Sequence, residues 1–299
     1  GLFIEDDWRL GALTLTGGLR ADHIVISDTF YRAVNPAGTT VSNVVGADRS
    51  DWVATWRAGA AYQASEHLGL RGAAYTGIRL PTLNELTRPF VVFPVVTEAN
   101  AALASERLEG FEAGLDWQTD AGLQISLTAF DNRVKDAIAN VTQRPNLRRR
   151  ENLPAIAARG IEAGLGAQVG RLSLNASLAY SDAEIEGSGA SLELDGNRPP
   201  QVPRWSGSAT LAWQPAAGWQ IAATLRHVAA QFEDDLETDV LAPATTVDAF
   251  VAVPLGRSGF ALVLRGENLT DTAIITRNAG GSIDLGVPRT GWIGLRYGF

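Results

Sequence analysis

The ten residues LSLNASLAYS, Leu172 to Ser181, decide the fold. Leu172, Leu174, Ala176, Leu178 and Tyr180 fall on one side of an extended chain, while Ser173, Asn175, Ser177, Ala179 and Ser181 fall on the other. A helix would scatter both sets around its axis, so this stretch is a two-faced β-strand. In GLQISLTAF (Gly122 to Phe130), Leu123, Ile125, Leu127 and Ala129 oppose Gln124, Ser126 and Thr128. In GWQIAATLRH (Gly218 to His227), Trp219, Ile221, Ala223 and Leu225 oppose Gln220, Thr224 and Arg226. Trp52 to Gln63, Phe111 to Gln118, Ile161 to Gln168 and Trp205 to Gln214 repeat the period.

Extending this pattern in both directions places about 13 strands, near residues 1–10, 11–26, 50–64, 67–80, 105–119, 121–137, 155–169, 171–187, 203–215, 217–232, 243–255, 258–269 and 288–299. The connections alternate. Tight turns at Leu10-Gly11, Ser65-Glu66, Thr119 to Gly122, Gly170-Arg171, Pro215 to Gly218 and Gly256 to Ser258 interleave with long polar loops, the longest near 27–49, 81–104, 138–154 and 270–287. Alternation alone also suits a soluble sandwich. Short turns on one rim and long loops on the other instead suit a transmembrane β-barrel, with periplasmic turns and extracellular loops. Trp52, Trp117, Trp205, Trp213, Trp219, Phe260, Tyr180, Tyr297 and Phe299 fall near strand ends on the apolar face, where a lipid-facing band carries its aromatic girdles. Leu172, Leu174, Leu178, Ile221, Leu225 and Leu295 are accordingly expected on the outside of a curved sheet.

Composition narrows the class. Of 299 residues 45% are hydrophobic, yet no stretch approaches the roughly 18 uninterrupted apolar residues of a spanning helix, so a helical membrane protein is excluded. Thirty-one glycines, eight tryptophans and only 19% charged residues suit twisted strands joined by turns. The absence of cysteine removes disulfides, zinc-thiolate sites and thiol nucleophiles. A net charge of -8 without any basic stripe argues against a nucleic-acid partner. The sequence has no methionine and starts at Gly1 inside a strand-like pattern, which leads us to expect a piece of a longer protein.

Catalytic chemistry finds little support. The sequence has no GxSxG elbow, phosphate loop or HExxH string, so no catalytic residue is assigned and the chain is not expected to be an enzyme. Asp6-Asp7 and Asp234-Asp235 are adjacent pairs that point apart. His23, His67 and His227 sit on separate hairpins, and neither a metal site nor a cofactor is expected. Two loops stand out as candidate ligand contacts. FEDDLETD (Phe232 to Asp239) offers Asp234 and Asp235 to a cation, although it lacks the spacing of a calcium loop. RPNLRRRE (Arg144 to Glu151) offers Arg148, Arg149 and Arg150, whose guanidinium forks suit carboxylates and phosphates, from anionic chelates or lipopolysaccharide. The remaining reading for both is a solvated loop. Arg57, Arg71, Glu112, Glu162, Arg226, Arg265, Glu267 and Arg296 fall on the inward, lumenal face.

Several strings resemble the C-terminal barrel half of TonB-dependent outer-membrane receptors. GIRLPTLNEL (Gly77 to Leu86), ERLEGFEAGL (Glu106 to Leu115), RGIE (Arg159 to Glu162), PPQVPRW (Pro199 to Trp205) and GENLTD (Gly266 to Asp271) occur in the family's order. WIGLRYGF closes the chain. Its Leu295, Tyr297 and Phe299 resemble the C-terminal signal read by the barrel-assembly machinery. The resemblance implies that residues 1–299 form one partial barrel domain, the C-terminal portion of a barrel of about 22 strands that encloses a plug. It further implies a Gram-negative outer-membrane protein in contact with lipid and lipopolysaccharide, coupled to TonB through its missing N-terminal part. The implied activity is uptake of a small molecule or metal chelate such as a ferric siderophore, haem or cobalamin. The alternative is a diffusion porin or a structural or translocator barrel, which would share turns, girdles and terminal Phe.

Overall fold

The structure is a computed structural model and describes residues 1–256, 258–279 and 281–298, so Phe299 lies outside the described residues. Thirteen strands follow one another in a single antiparallel path. They are β1 Leu2–Leu10, β2 Leu13–Ile26, β3 Arg49–Gln63, β4 Leu68–Arg79, β5 Glu106–Gln118, β6 Leu123–Arg144 and β7 Leu147–Val169. The rest are β8 Leu172–Glu186, β9 Trp205–Trp213, β10 Gln220–Val228, β11 Ala244–Pro254, β12 Phe260–Glu267 and β13 Thr290–Tyr297. Along this path each pairs with its neighbours in sequence, which makes a meander; β7 alone takes a further partner, a short loop strand at its start.

One rim carries the tight turns. Gly11 and Gly170, at φ 66° and 58°, close the β1–β2 and β7–β8 turns in left-handed backbone that a side chain would strain. All the long connections lie on the opposite rim, because each follows an ascending strand.

Register fixes the two faces. On the outer side, Val169, Leu172 and Trp213 form a row across β7, β8 and β9, and the next rows up are Ala167–Leu174–Leu211, Leu165–Ala176–Ala209 and Ala163–Leu178–Gly207. Ile161–Tyr180–Trp205 caps them, with the Tyr180 and Trp205 rings 4.7 Å apart. The eight steps from Trp213 to Trp205 measure about 27 Å along a strand and roughly 21 Å once tilted, near the ~25 Å band of an outer-membrane barrel. Leu172, Leu178, Leu225 and Leu295 are 45%, 50%, 46% and 68% exposed, so this face covers no interior.

The other face is polar and concave. Thr14 on β2 and Thr210 on β9 line one hollow of about 800 Å3 with Arg71, Asp116, Ser126 and Asn175, and strands seven steps apart share a hollow only if the sheet curls strongly. Along this wall Arg71 donates to Asp116 (3.0 Å) and Thr128 (2.5 Å), Ser177 meets Ser208 at 3.0 Å and Thr210 meets Thr224 at 2.9 Å. Glu5 pairs with Arg57 and Asp248 with Arg226. Charges and hydroxyls are thus satisfied across strands.

Two boundaries differ from the sequence expectation. Residues 138–154 are not a loop: β6 and β7 continue as a hairpin that ends at Pro145-Asn146. Asp136 has left-handed backbone (φ 52°) and faces Pro154, which has no N–H to give, so the pairing skips this step and the apolar phase shifts. Beyond it Ala137, Val141 and Leu153 pack with Ile185 and Leu194 in a buried cluster at the loop rim. Second, β10 ends at Val228, and Gln231–Phe232 belongs to a small loop hairpin with Val240–Leu241.

Candidate functional site

The long loops are built, not slack. The β4–β5 connection contains helix α1, Leu83–Thr87, begun by a capping box: the Thr82 hydroxyl accepts from the Glu85 N–H and the Glu85 carboxylate accepts from the Thr82 N–H. A hairpin of Phe90–Val92 and Val95–Glu98 follows, and its second strand pairs in parallel with Leu147–Arg149. Thus the β4–β5 loop is sewn onto the tall β6–β7 hairpin.

Arg150 completes this join. Expected in an exposed loop, it is 7% exposed. Its guanidinium donates to the Asn84 and Arg88 carbonyls at 2.6 and 2.9 Å and lies 5.0 Å over the Phe90 ring. The Asn84 carbonyl already accepts from the Arg88 N–H at 3.1 Å, so Arg150 adds a second bond there and also fills the Arg88 carbonyl just past α1.

The acidic loop is also turned inward, a correction to its solvated reading: Asp234 and Asp235 are 4% and 2% exposed. Asp234 accepts from the Thr238 N–H (2.9 Å), the Thr238 hydroxyl (2.7 Å) and the Asp239 N–H (2.8 Å), which bends the loop on itself. Asp235 accepts from the Thr142 N–H and hydroxyl on β6. Arg198 stacks 4.5 Å over Phe232 and pairs with Glu237, tying in the β8–β9 loop. From the β12–β13 loop, the Asn278 side chain donates to the Val240 carbonyl (3.2 Å) and Arg277 to the Phe93 carbonyl (3.3 Å).

At the centre of these contacts is a cavity of about 500 Å3, lined among others by Arg144, Arg148, Glu193, Asp234 and Asp239. Two segments that looked unrelated in sequence, the arginine run and the acidic loop, meet here. Burial, reinforced by the Asp234 charge, pushes the Asp239 carboxyl above its usual range, and the Arg148 guanidinium acts against it. Arg148 is half-buried at the cavity, whereas Arg149 is exposed and pairs with Glu151 at 3.4 Å. Asp239 belongs to the acidic loop singled out in the sequence, whereas Glu193 lay outside the sequence-based candidates; nothing local marks Glu193, because the cavity is assembled by loops from several hairpins. Among the described residues no three His, Asp or Glu side chains gather as metal ligands. Leu295 and Tyr297 lie on the outer face of β13, with the Tyr297 ring 4.7 Å from that of Phe260.

A curled antiparallel meander with an apolar, girdled exterior, a polar hollow and all its long loops on one rim is the wall of an outer-membrane β-barrel. The family model "TonB dependent receptor-like, beta-barrel" matches residues 1–269, and the chain belongs to that family, whose barrels reside in the outer membrane. Similar folds include the ferric yersiniabactin uptake receptor FyuA from Yersinia pestis (TM-score 0.79, 18% identity, 99% of this chain and 45% of that chain). They also include the copper transporter OprC (0.76, 19%, 99% and 47%) and the siderophore receptor PiuA from Acinetobacter baumannii (0.75, 17%, 96% and 41%). The chain therefore spans less than half the length of these structures. No curated protein sequence matches it.

Proposed function

We propose that this chain forms the wall and the outer mouth of a receptor that captures a scarce small molecule or metal chelate, which TonB then drives inward. The observation that carries the reading is the convergence of the long loops on one cavity, where Arg148 faces Asp234 and Asp239. A diffusion pore has no need of a built binding rim, whereas these loops are cross-linked to one another by Arg277, Asn278 and Asp235. In this reading Arg148 and Arg149 contact the anionic part of the ligand. Arg150, Asp234 and Asp235 act mainly by holding the loops that present it. The hollow with Arg71 and Asp116 faces a plug, and β13, through Leu295, Tyr297 and Phe299, engages the barrel-assembly machinery.

The experiment is uptake of labelled metal chelates and cobalamin by cells with the receptor, without it, and with TonB disabled. Import is expected to saturate, to require TonB and to lose affinity in Arg148→Ala. Uptake that rises linearly with concentration and persists without TonB overturns the reading in favour of a diffusion pore.

A further inference from the structure

Two charged runs meet at the loop cavity, and most of their members are already engaged. Of the three consecutive arginines, Arg149 pairs with Glu151 and Arg150 donates to the Asn84 and Arg88 carbonyls. In the acidic loop, Asp234 accepts from Thr238 and the Asp239 N–H, and Asp235 accepts from Thr142. Glu233 accepts from the Gln201 amide at 3.1 Å, and Glu237 accepts from the Arg198 N–H at 2.8 Å and pairs with its guanidinium. Arg148 and Asp239 are left over. Among the described residues neither side chain makes a hydrogen bond or an ion pair, and both line the same cavity.

The two are close enough to feel each other and too far apart to pair. Burial and the Asp234 charge push the Asp239 carboxyl up by more than the Arg148 charge pulls it down, so this carboxylate still lacks a close cation. Had the two met directly, their own salt bridge would fill the space. Held apart on different loops, they leave it open to a ligand that answers both.

Charge balance narrows that ligand further. Arg144 joins Arg148 from the β6–β7 hairpin, while Glu193 joins Asp239 from the β8–β9 loop. A purely anionic ligand drawn to Arg148 brings its charge toward two carboxylates, and a purely cationic one drawn to Asp239 meets two guanidinium groups. A ligand with one charge of each sign meets an attractive partner at both ends. The volume of about 500 Å3 is that of an ordinary small-molecule site, and Leu147 and Leu236 supply apolar lining.

We propose that the cavity recognises a zwitterionic end of the ligand, its acid group held by the Arg148 fork and its ammonium by the Asp239 carboxylate, with Arg144 and Glu193 disfavouring ligands of a single sign. This rests on the reading of these loops as the capturing mouth and adds the chemistry of what they capture.

The test uses the receptor purified whole from outer membranes in detergent, titrated by saturation-transfer difference NMR with four probes on one framework. Triglycine carries both charges, N-acetyltriglycine the acid alone, triglycinamide the ammonium alone and N-acetyltriglycinamide neither. Triglycine is expected to bind about tenfold more tightly than each of the others. Arg148→Gln is expected to bring triglycine down to the affinity of triglycinamide, and Asp239→Asn to that of N-acetyltriglycine. A wild-type receptor that binds a blocked probe as well as triglycine, or binds none of the four, overturns the proposal whether or not the variants fold. So does a folded variant that retains the full preference. Transport is measured apart: TonB-dependent uptake without this preference sinks the zwitterion alone, and the preference without such uptake sinks the importer and leaves the cavity chemistry standing.

Discussion

The Asp235 carboxylate accepts from both the backbone N–H and the hydroxyl of Thr142, at 2.8 and 2.6 Å, across 93 residues of sequence. One acidic side chain thereby fixes the β10–β11 loop against the tall hairpin. Removing it leaves a part-buried Thr142 N–H unpaired, at a cost of about 1 to 3 kcal/mol. Asp235→Ala is therefore expected to raise hydrogen exchange at residues 137–148 and 231–241 while strands β7 to β9 stay protected. Unchanged exchange at both segments would sink the idea that this contact holds the rim.

Arg150 anchors the opposite side of the same hairpin by filling two carbonyls with one guanidinium end over Phe90. Both bonds leave Nη1, so what lysine lacks is the longer, planar group that stacks on the ring while one end donates to both carbonyls. Arg150→Lys is expected to loosen α1 and the 90–98 hairpin nearly as much as Arg150→Ala. Limited proteolysis between Arg88 and Glu98 reports it, and a lysine variant as resistant as wild type would show that charge alone suffices.

Glu85 gives the β4–β5 loop a pH dependence. Burial alone would raise its carboxyl, but the Thr82 N–H and hydroxyl (2.7 and 2.9 Å) and the Arg79 guanidinium (3.1 Å) hold it below the usual carboxylate range. A carboxyl lowered by the fold contributes stability that is complete above its unfolded value and is lost as pH falls through its folded value. Protection of residues 83–103 against hydrogen exchange is thus expected to be level near neutral pH and to drop below about pH 4. Glu85→Gln should flatten that fall; a variant that keeps the full acid response would assign it to another carboxyl.

The wall was legible in the sequence because period-two alternation is a local signal, and every outward leucine named from it lies outward. The hairpin extension was not. At Asp136 and Pro154 the alternation changes phase, so Ala137, Val141 and Leu153 look patternless until Ile185 and Leu194 arrive from β8 and its following loop. Helix α1 was readable in principle, since Thr82 followed by Glu85 at the third position is a capping box. The burial of Arg150, Asp234 and Asp235 was not, because each is satisfied by groups more than 50 residues away or by the turn it creates. A charged run in one dimension carries no mark of the partner that will desolvate it.

Leu225 tests the sidedness of the whole wall. It pairs with Ala209 on β9 and Val247 on β11, midway up the apolar band, and is 46% exposed. Thr224, its neighbour, points into the hollow and meets Thr210 at 2.9 Å. An arginine at the lipid-facing midplane costs about 2 to 4 kcal/mol, whereas one in the lumen reaches water. Leu225→Arg is accordingly expected to lower stability in lipid by about that amount, and Thr224→Arg by little more than its lost hydroxyl contact, about 1 kcal/mol. Urea-induced unfolding in lipid vesicles measures both. Equal costs, or the larger cost at Thr224, would mean that the apolar face is turned inward and that the barrel has been read inside out.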